Sequence, residues 1–130
     1  MDRKFLAAGS FLAFLAVAAG AFGAHGLKNH LDTSMLAIFE TAVKYQMYHS
    51  LALVLVSMFL KPKTGIWLVR SGWLFLTGIA VFSGSLYVLS LTGIKWFGAL
   101  TPFGGLAFLA GWFSLFMYAL KEKPKTSGKL

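Results

Sequence analysis

Residues Phe39 to Leu60 read FETAVKYQMYHSLALVLVSMFL, and this stretch decides how the chain is built. Its second half is apolar enough to lie in lipid, while its first half carries Glu40, Lys44, Gln46 and His49. A helix that crosses a membrane needs about 20 residues at about 1.5 Å each. Counting back from Lys61, Glu40 falls near the opposite membrane surface. His49 falls roughly 16 Å from the Lys61 end, close to the middle of a hydrocarbon core about 30 Å thick. An ionisable side chain at that depth is costly, which makes it a candidate functional residue.

The surrounding composition agrees with a lipid setting. The 130 residues are 58% hydrophobic and only 12% charged, against about 25% charged in a typical soluble domain. Mean hydropathy is +0.73. The net charge of +8 comes from Lys and Arg at the ends of apolar runs rather than along one face. Such charges orient a membrane protein and touch anionic headgroups, so membrane lipids are expected partners and nucleic acid is not. The absence of cysteine excludes disulfides, thiolate catalysis and Cys-ligated metals.

Outward from the central stretch, three more apolar runs are long enough to span. The first, Phe5 to Ala24, carries Gly9, Ala13, Ala16 and Gly20 at helical spacing, a face where another backbone can approach closely. It exceeds the 7–15 apolar residues of a usual leader peptide and reads as a retained helix. The polar connector GAHGLKNHLDTS follows, in which Asp32, Thr33 and Ser34 are competent N-caps. A third helix runs from Ile66 to Leu91, with Thr77, Ala80 and Gly84 as its small-residue face and Thr92-Gly93 as its stop. Thr101-Pro102 reads as an N-cap followed by proline at the first helical position. The fourth helix then carries Gly104, Ala107, Gly111 and Ser114 along one stripe.

The expected fold is therefore all-α: an integral membrane bundle of four transmembrane helices over about 5–24, 35–60, 66–91 and 102–120. These form one domain, residues 1–120, with a basic polar tail at 121–130. With the N-terminus inside, Arg3, Lys4, Lys61, Lys63, Arg70, Lys121, Lys123, Lys125 and Lys129 lie inside and only Lys28, Lys44 and Lys95 outside. Under the positive-inside rule that asymmetry places both termini in the cytoplasm.

Depth counting sorts the polar side chains into two groups. Tyr45, Gln46 and His49 match the depth of Ser83, Ser85 and Tyr87 on the third helix, making an intramembrane polar layer that could bind or conduct. His25, Glu40 and Lys44 share the outer surface. Intramembrane polar groups often do no more than tie helices together, each link worth about 1 kcal/mol. His49 stands between that role and proton carriage, because its unperturbed pKa is near 6.5. Glu40 and Lys44 are spaced i,i+4 and suit a plain surface pair. His25, His30, Asp32 and Glu40 show no ligand spacing, so no metal is expected. Neither a nucleophile elbow nor a phosphate loop is present, so no catalytic residue and no cofactor is assigned.

Four segments carry a family resemblance. GAFGAHGL (20–27), FETAVKYQMYHSLAL (39–53), FSGSLYVLSLTG (82–93) and TPFGGLAFLAGW (101–112) resemble, in the same order, the small bacterial membrane proteins called domain of unknown function 423. The mitochondrial transmembrane protein 256 looks like a relative. The resemblance implies a four-helix protein of the bacterial cytoplasmic membrane and carries no activity with it. Its motifs include His25, Tyr45, Gln46, His49, Ser83, Pro102, Gly104 and Gly105.

Two functions are expected on these grounds. One is a non-enzymatic accessory or assembly protein, a homo-oligomer or a companion of another membrane protein, packed through the small-residue faces. The alternative is an oligomer that binds a lipid or quinone-like ligand, or conducts protons or small solutes, through the polar layer around His49. An enzyme acting on lipid headgroups through His25, Asp32 or Glu40 is the remaining reading.

Overall fold

The structure, a computed structural model, describes residues 3–121; Met1, Asp2 and the tail residues 122–130 lie outside the described residues. Helix α1 (Arg3–Phe22) runs into a π turn (Gly23–Leu27), and α2 spans Thr33–Phe59. Helix α3 (Ile66–Gly78), a second π turn (Ile79–Ser83) and α4 (Gly84–Thr92) make one continuous rod. A 3-10 turn (Lys95–Ala99) leads into α5 (Thr101–Lys121). Among the described residues there is no strand.

Three of these rods, Arg3–Leu27, Ile66–Thr92 and Lys95–Lys121, are long and apolar enough to cross a membrane. Helix α2, with 27 residues, has the length but less apolarity, because Glu40, Lys44, Gln46 and His49 fall within it.

Local chemistry explains where the rods begin and end. Asp32 is the N-cap of α2: its extended backbone turns the chain, and its Oδ1 accepts the Met35 N–H at 2.8 Å and the Ser34 hydroxyl at 2.9 Å. Met35 N–H would otherwise be one of the orphan donors of the first turn. The far end of α2 stops before Pro62, and Thr64 Oγ1 closes the basic turn by accepting the Lys61 N–H at 2.7 Å. Gly93, at φ 73°, ends α4 in the left-handed conformation, and its N–H donates to Leu89 O at 2.7 Å. Thr101 differs from its expected capping role. Its hydroxyl pairs with Ser85 Oγ at 2.6 Å. The 3-10 turn runs straight into α5, so the Leu100 carbonyl, rather than a side chain, receives the Phe103 N–H at 3.1 Å.

Helix α2 is the centre of the packing. It lies against α1 on one side and the α3–α4 rod on the other, while α5 packs on α3 and its π turn. Phe5, Leu53, Val56, Leu68, Phe75 and Phe108 make the main core. Glycine sets the closest approaches. A Cβ on Gly9 would stand 2.8 Å from Ser50 O, and one on Gly111 would stand 2.7 Å from the Phe75 ring. A Cβ on Gly104 would run into the backbone of Phe82. Ala16 is buried and Gly20 meets Val43, whereas Ala13 and Ala107 are half-buried.

Gly84 does not pack within the chain. A Cβ there would meet nothing within 4 Å, and Thr77 and Ala80 on the same expected face are exposed. The buried stripe instead includes Ser71, Gly72, Phe75, Gly78 and Ser83. Both faces of this rod carry small residues, so smallness alone does not choose between them. The rings of Phe5 and Phe108 do, by lying directly over Gly72 and Gly78.

Antiparallel packing gathers one end of the bundle. The start of α1, the end of α2, the start of α3 and the end of α5 meet there, as the Phe5–Trp73 (5.4 Å) and Phe59–Tyr118 (6.4 Å) ring contacts record. Trp67 lies between two cations of this end, 5.2 Å from Arg70 Cζ and 5.4 Å from Lys121 Nζ.

Candidate functional site

Gln46 joins three rods. It is 5% exposed. Its Nε2 donates to Leu12 O of α1 at 2.7 Å, and its Oε1 accepts the Tyr87 hydroxyl of α4 at 2.6 Å. One turn earlier on α2, Ala42 O accepts the Ser83 hydroxyl at 2.8 Å, so the π turn is fastened beside it. Ser50 reaches back to Gln46 O at 2.6 Å. With lipid offering no partners, each such bond replaces an unsatisfied polar group.

His49 faces a different neighbour. Its Nδ1 lies 2.8 Å from Tyr45 O, and Trp112 Nε1 of α5 donates to its Nε2 at 3.0 Å. A carbonyl only accepts and an indole N–H only donates. The ring is therefore the neutral tautomer with its proton on Nδ1. It stacks on Phe108 with centroids 3.5 Å apart and planes 9° apart, and Phe75 and Trp112 flank it at 5.6 and 5.8 Å.

The single layer expected from depth thus divides. Gln46 and Tyr87 belong to the α1–α4 side, and His49 to the α5 side. Ser83 binds the α2 backbone. Ser85 turns away from α2, pairing with Thr101 and donating to Phe82 O at 3.0 Å. Tyr45, 39% exposed, contributes its carbonyl to His49 and its ring to Phe82, at 4.7 Å.

The outer-surface residues are not bonded to one another. His25 sits on the first π turn, Glu40 and Lys44 on α2, and all three are exposed. Among the described residues no hydrogen bond or ion pair joins them, and no three of His, Asp and Glu gather where they could hold a metal ion. Beside them, Asp32 has its carboxyl held below the ordinary value of 3.8, chiefly by the Met35 N–H and then by the Ser34 hydroxyl.

Depth counting left out Trp112, the Leu12 carbonyl and Ser50. The signal for Trp112 was present: it lies nine residues before Lys121, about 14 Å along the helix, a depth like that of His49. A backbone carbonyl gives no such signal.

Helices α1 and α4 each pack on α2, and between them a groove of about 430 Å³ opens over its surface. Leu15, Ala18, Ala19 and Phe22 of α1 and Phe39 of α2 make its apolar lining, and Gln46 and Tyr87 its polar part.

The family described as Protein of unknown function (DUF423) matches residues 19–105. UPF0382 membrane protein YwdK of Bacillus subtilis (strain 168) is 45% identical over 120 residues, covering 92% of this chain and 98% of the relative. The chain belongs to this family of membrane proteins. UPF0382 membrane protein SH2409 of Staphylococcus haemolyticus (strain JCSC1435) is 44% identical over 119 residues, 92% of this chain and 97% of its own. No solved structure matches the chain. The family match takes in Gln46, His49, Ser83 and Tyr87, and ends before Trp112.

Proposed function

We propose that this family member is a four-span protein of the bacterial cytoplasmic membrane, with both ends cytoplasmic. We propose further that it is a non-enzymatic accessory or assembly protein rather than a proton or solute conductor. The observation that carries the second point is the engagement of His49. A proton carrier needs either a ring nitrogen open to a proton path or a ring free to turn. Here the accepting nitrogen meets a donor-only indole, the other is bonded to a carbonyl, and Phe108 covers the ring face. His49 ties α2 to α5 as Gln46 ties α2 to α1 and α4. Such ties, each worth about 1 kcal/mol, hold a shape.

The four-span reading is supported by the central place and 27-residue length of α2, and by the basic residues gathered at one end. The assembly contact falls to outward faces. Gly9, Gly104 and Gly111 are occupied within the chain, so a second copy or another membrane protein would meet the small face left open at Thr77, Ala80 and Gly84, or large apolar side chains. Phe11, Phe14 and Val17 of α1 and Phe103, Leu109 and Phe116 of α5 stand outward, with membrane lipids covering what a partner does not.

Native mass spectrometry of protein released from its own membranes tests the assembly reading. We expect a homo-oligomer or a stoichiometric complex of defined mass; a bare monomer in every mild detergent would overturn it.

A further inference from the structure

We infer that the groove between α1 and α4 is a binding site for an isoprenoid quinone-like molecule, a flat ring with opposed oxygens on a branched hydrocarbon tail. The volume of about 430 Å³ lies within the range of roughly 300–1,000 Å³ that small-molecule sites occupy. The decisive feature is the hydrogen-bonding capacity left at the polar part. A carboxamide has two N–H donors, and Gln46 uses one, on Leu12 O. A phenol oxygen has lone pairs to offer, and Tyr87 uses its hydroxyl only as a donor, to Gln46. One donor and one acceptor therefore remain on adjacent side chains. Gln46 is 95% shielded from solvent, and the small part left open lines the groove.

Depth narrows the chemistry. Leu12 lies nine residues from Arg3 and Gln46 thirteen from Phe59, about 14 and 20 Å along their helices. In a core about 30 Å thick that is the middle of the bilayer. Phospholipid headgroups stay at the surface, so the complementary molecule carries its oxygens on an apolar body that resides among acyl chains. A quinone carbonyl accepts from the Gln46 amide, and the hydroxyl of the reduced ring donates to Tyr87. The aromatic lining suits a flat ring: Phe39 meets Tyr87 edge to face at 5.2 Å, and Phe22 forms an open wall. The tail leaves toward lipid past Ala18.

The inference rests on the four-span reading for its depth and is independent of the accessory role. The test uses the full chain in lipid nanodiscs. The probe is 2-methyl-1,4-naphthoquinone carrying two isoprene units, and the control is 2-methylnaphthalene with the same tail. We expect saturable quinone binding, and binding of the oxygen-free control about tenfold weaker, as the loss of a buried hydrogen bond predicts. Tyr87→Phe should weaken the reduced form by about the same factor. Ala18 is exposed, so Ala18→Phe fills the groove without disturbing the bundle and should abolish binding of both forms. Equal binding of the oxygen-free compound, or unchanged binding by Ala18→Phe, would overturn the site. Single cysteines at Asn29 and Thr64, reacted with an impermeant maleimide in intact cells and inverted vesicles, test the depth premise separately. Labelling of both from one face removes that premise whatever the quinone does. Labelling from opposite faces without quinone binding rejects the site alone.

Discussion

A methyl group at Gly104 has no room, because the Phe82 backbone occupies the place it would take. Gly104→Ala must push α5 off the π turn and should cost about 1–3 kcal/mol, read from the unfolding curve in mixed micelles. Gly84→Ala is the contrast. Nothing lies within 4 Å, and alanine suits a helix better than glycine, so the protein should gain up to about 1 kcal/mol. Equal effects at the two sites would show that the packing face is wrongly identified. Trp112→Phe should cost about 1 kcal/mol by leaving His49 Nε2 without its donor. Adding His49→Phe to that variant should recover part of the loss, a coupling measurable in a double-mutant cycle. At this scale the sequence was partly legible. The cost of burying Gln46 and His49 showed in their depth, but their partners did not. Leu12 contributes only a carbonyl, which every residue has, and Gly84 looks no different from Gly104 until a neighbour's bulk is known.

Among the elements, the start of α2 has the clearest pH dependence. Asp32 lies in the connector outside the spanning segments, and its carboxylate accepts the Met35 N–H. Its folded pKa is below the ordinary 3.8. The capping contribution is therefore fully present above 3.8 and is lost as pH falls through the lower folded value. Thermal midpoints should drop across that acid window, and Asp32→Asn, which keeps an acceptor without a titrating charge, should flatten the drop. A slope unchanged by the substitution would assign the acid sensitivity elsewhere. The sequence narrowed this cap to Asp32, Thr33 and Ser34, because an N-cap bond spans only three residues; the fold chose Asp32. The π turn at Ile79–Ser83 was not legible in the sequence. No proline or local motif marks it, and its place coincides with non-local contacts, Ser83 on Ala42 O and Phe82 against Gly104.

For the whole molecule, the maleimide experiment is also the topology test, and the lack of native cysteine leaves it free of background. Asn29 should react from outside and Thr64 from the cytoplasm; reaction from one face would remove α2 as a span. By itself the sequence determined an all-helical membrane protein of this family, with its costly side chains on α2. Run length, charge placement and motif order are properties of the chain alone. Tertiary structure decided which face each helix buries, and it divided one polar layer into two. The physical reason lies in helix geometry. Gln46 and His49 are three residues apart and point about 60° from one another around α2. That angle carries one to α1 and α4 and the other to α5, and which helix stands in each direction is fixed only by packing.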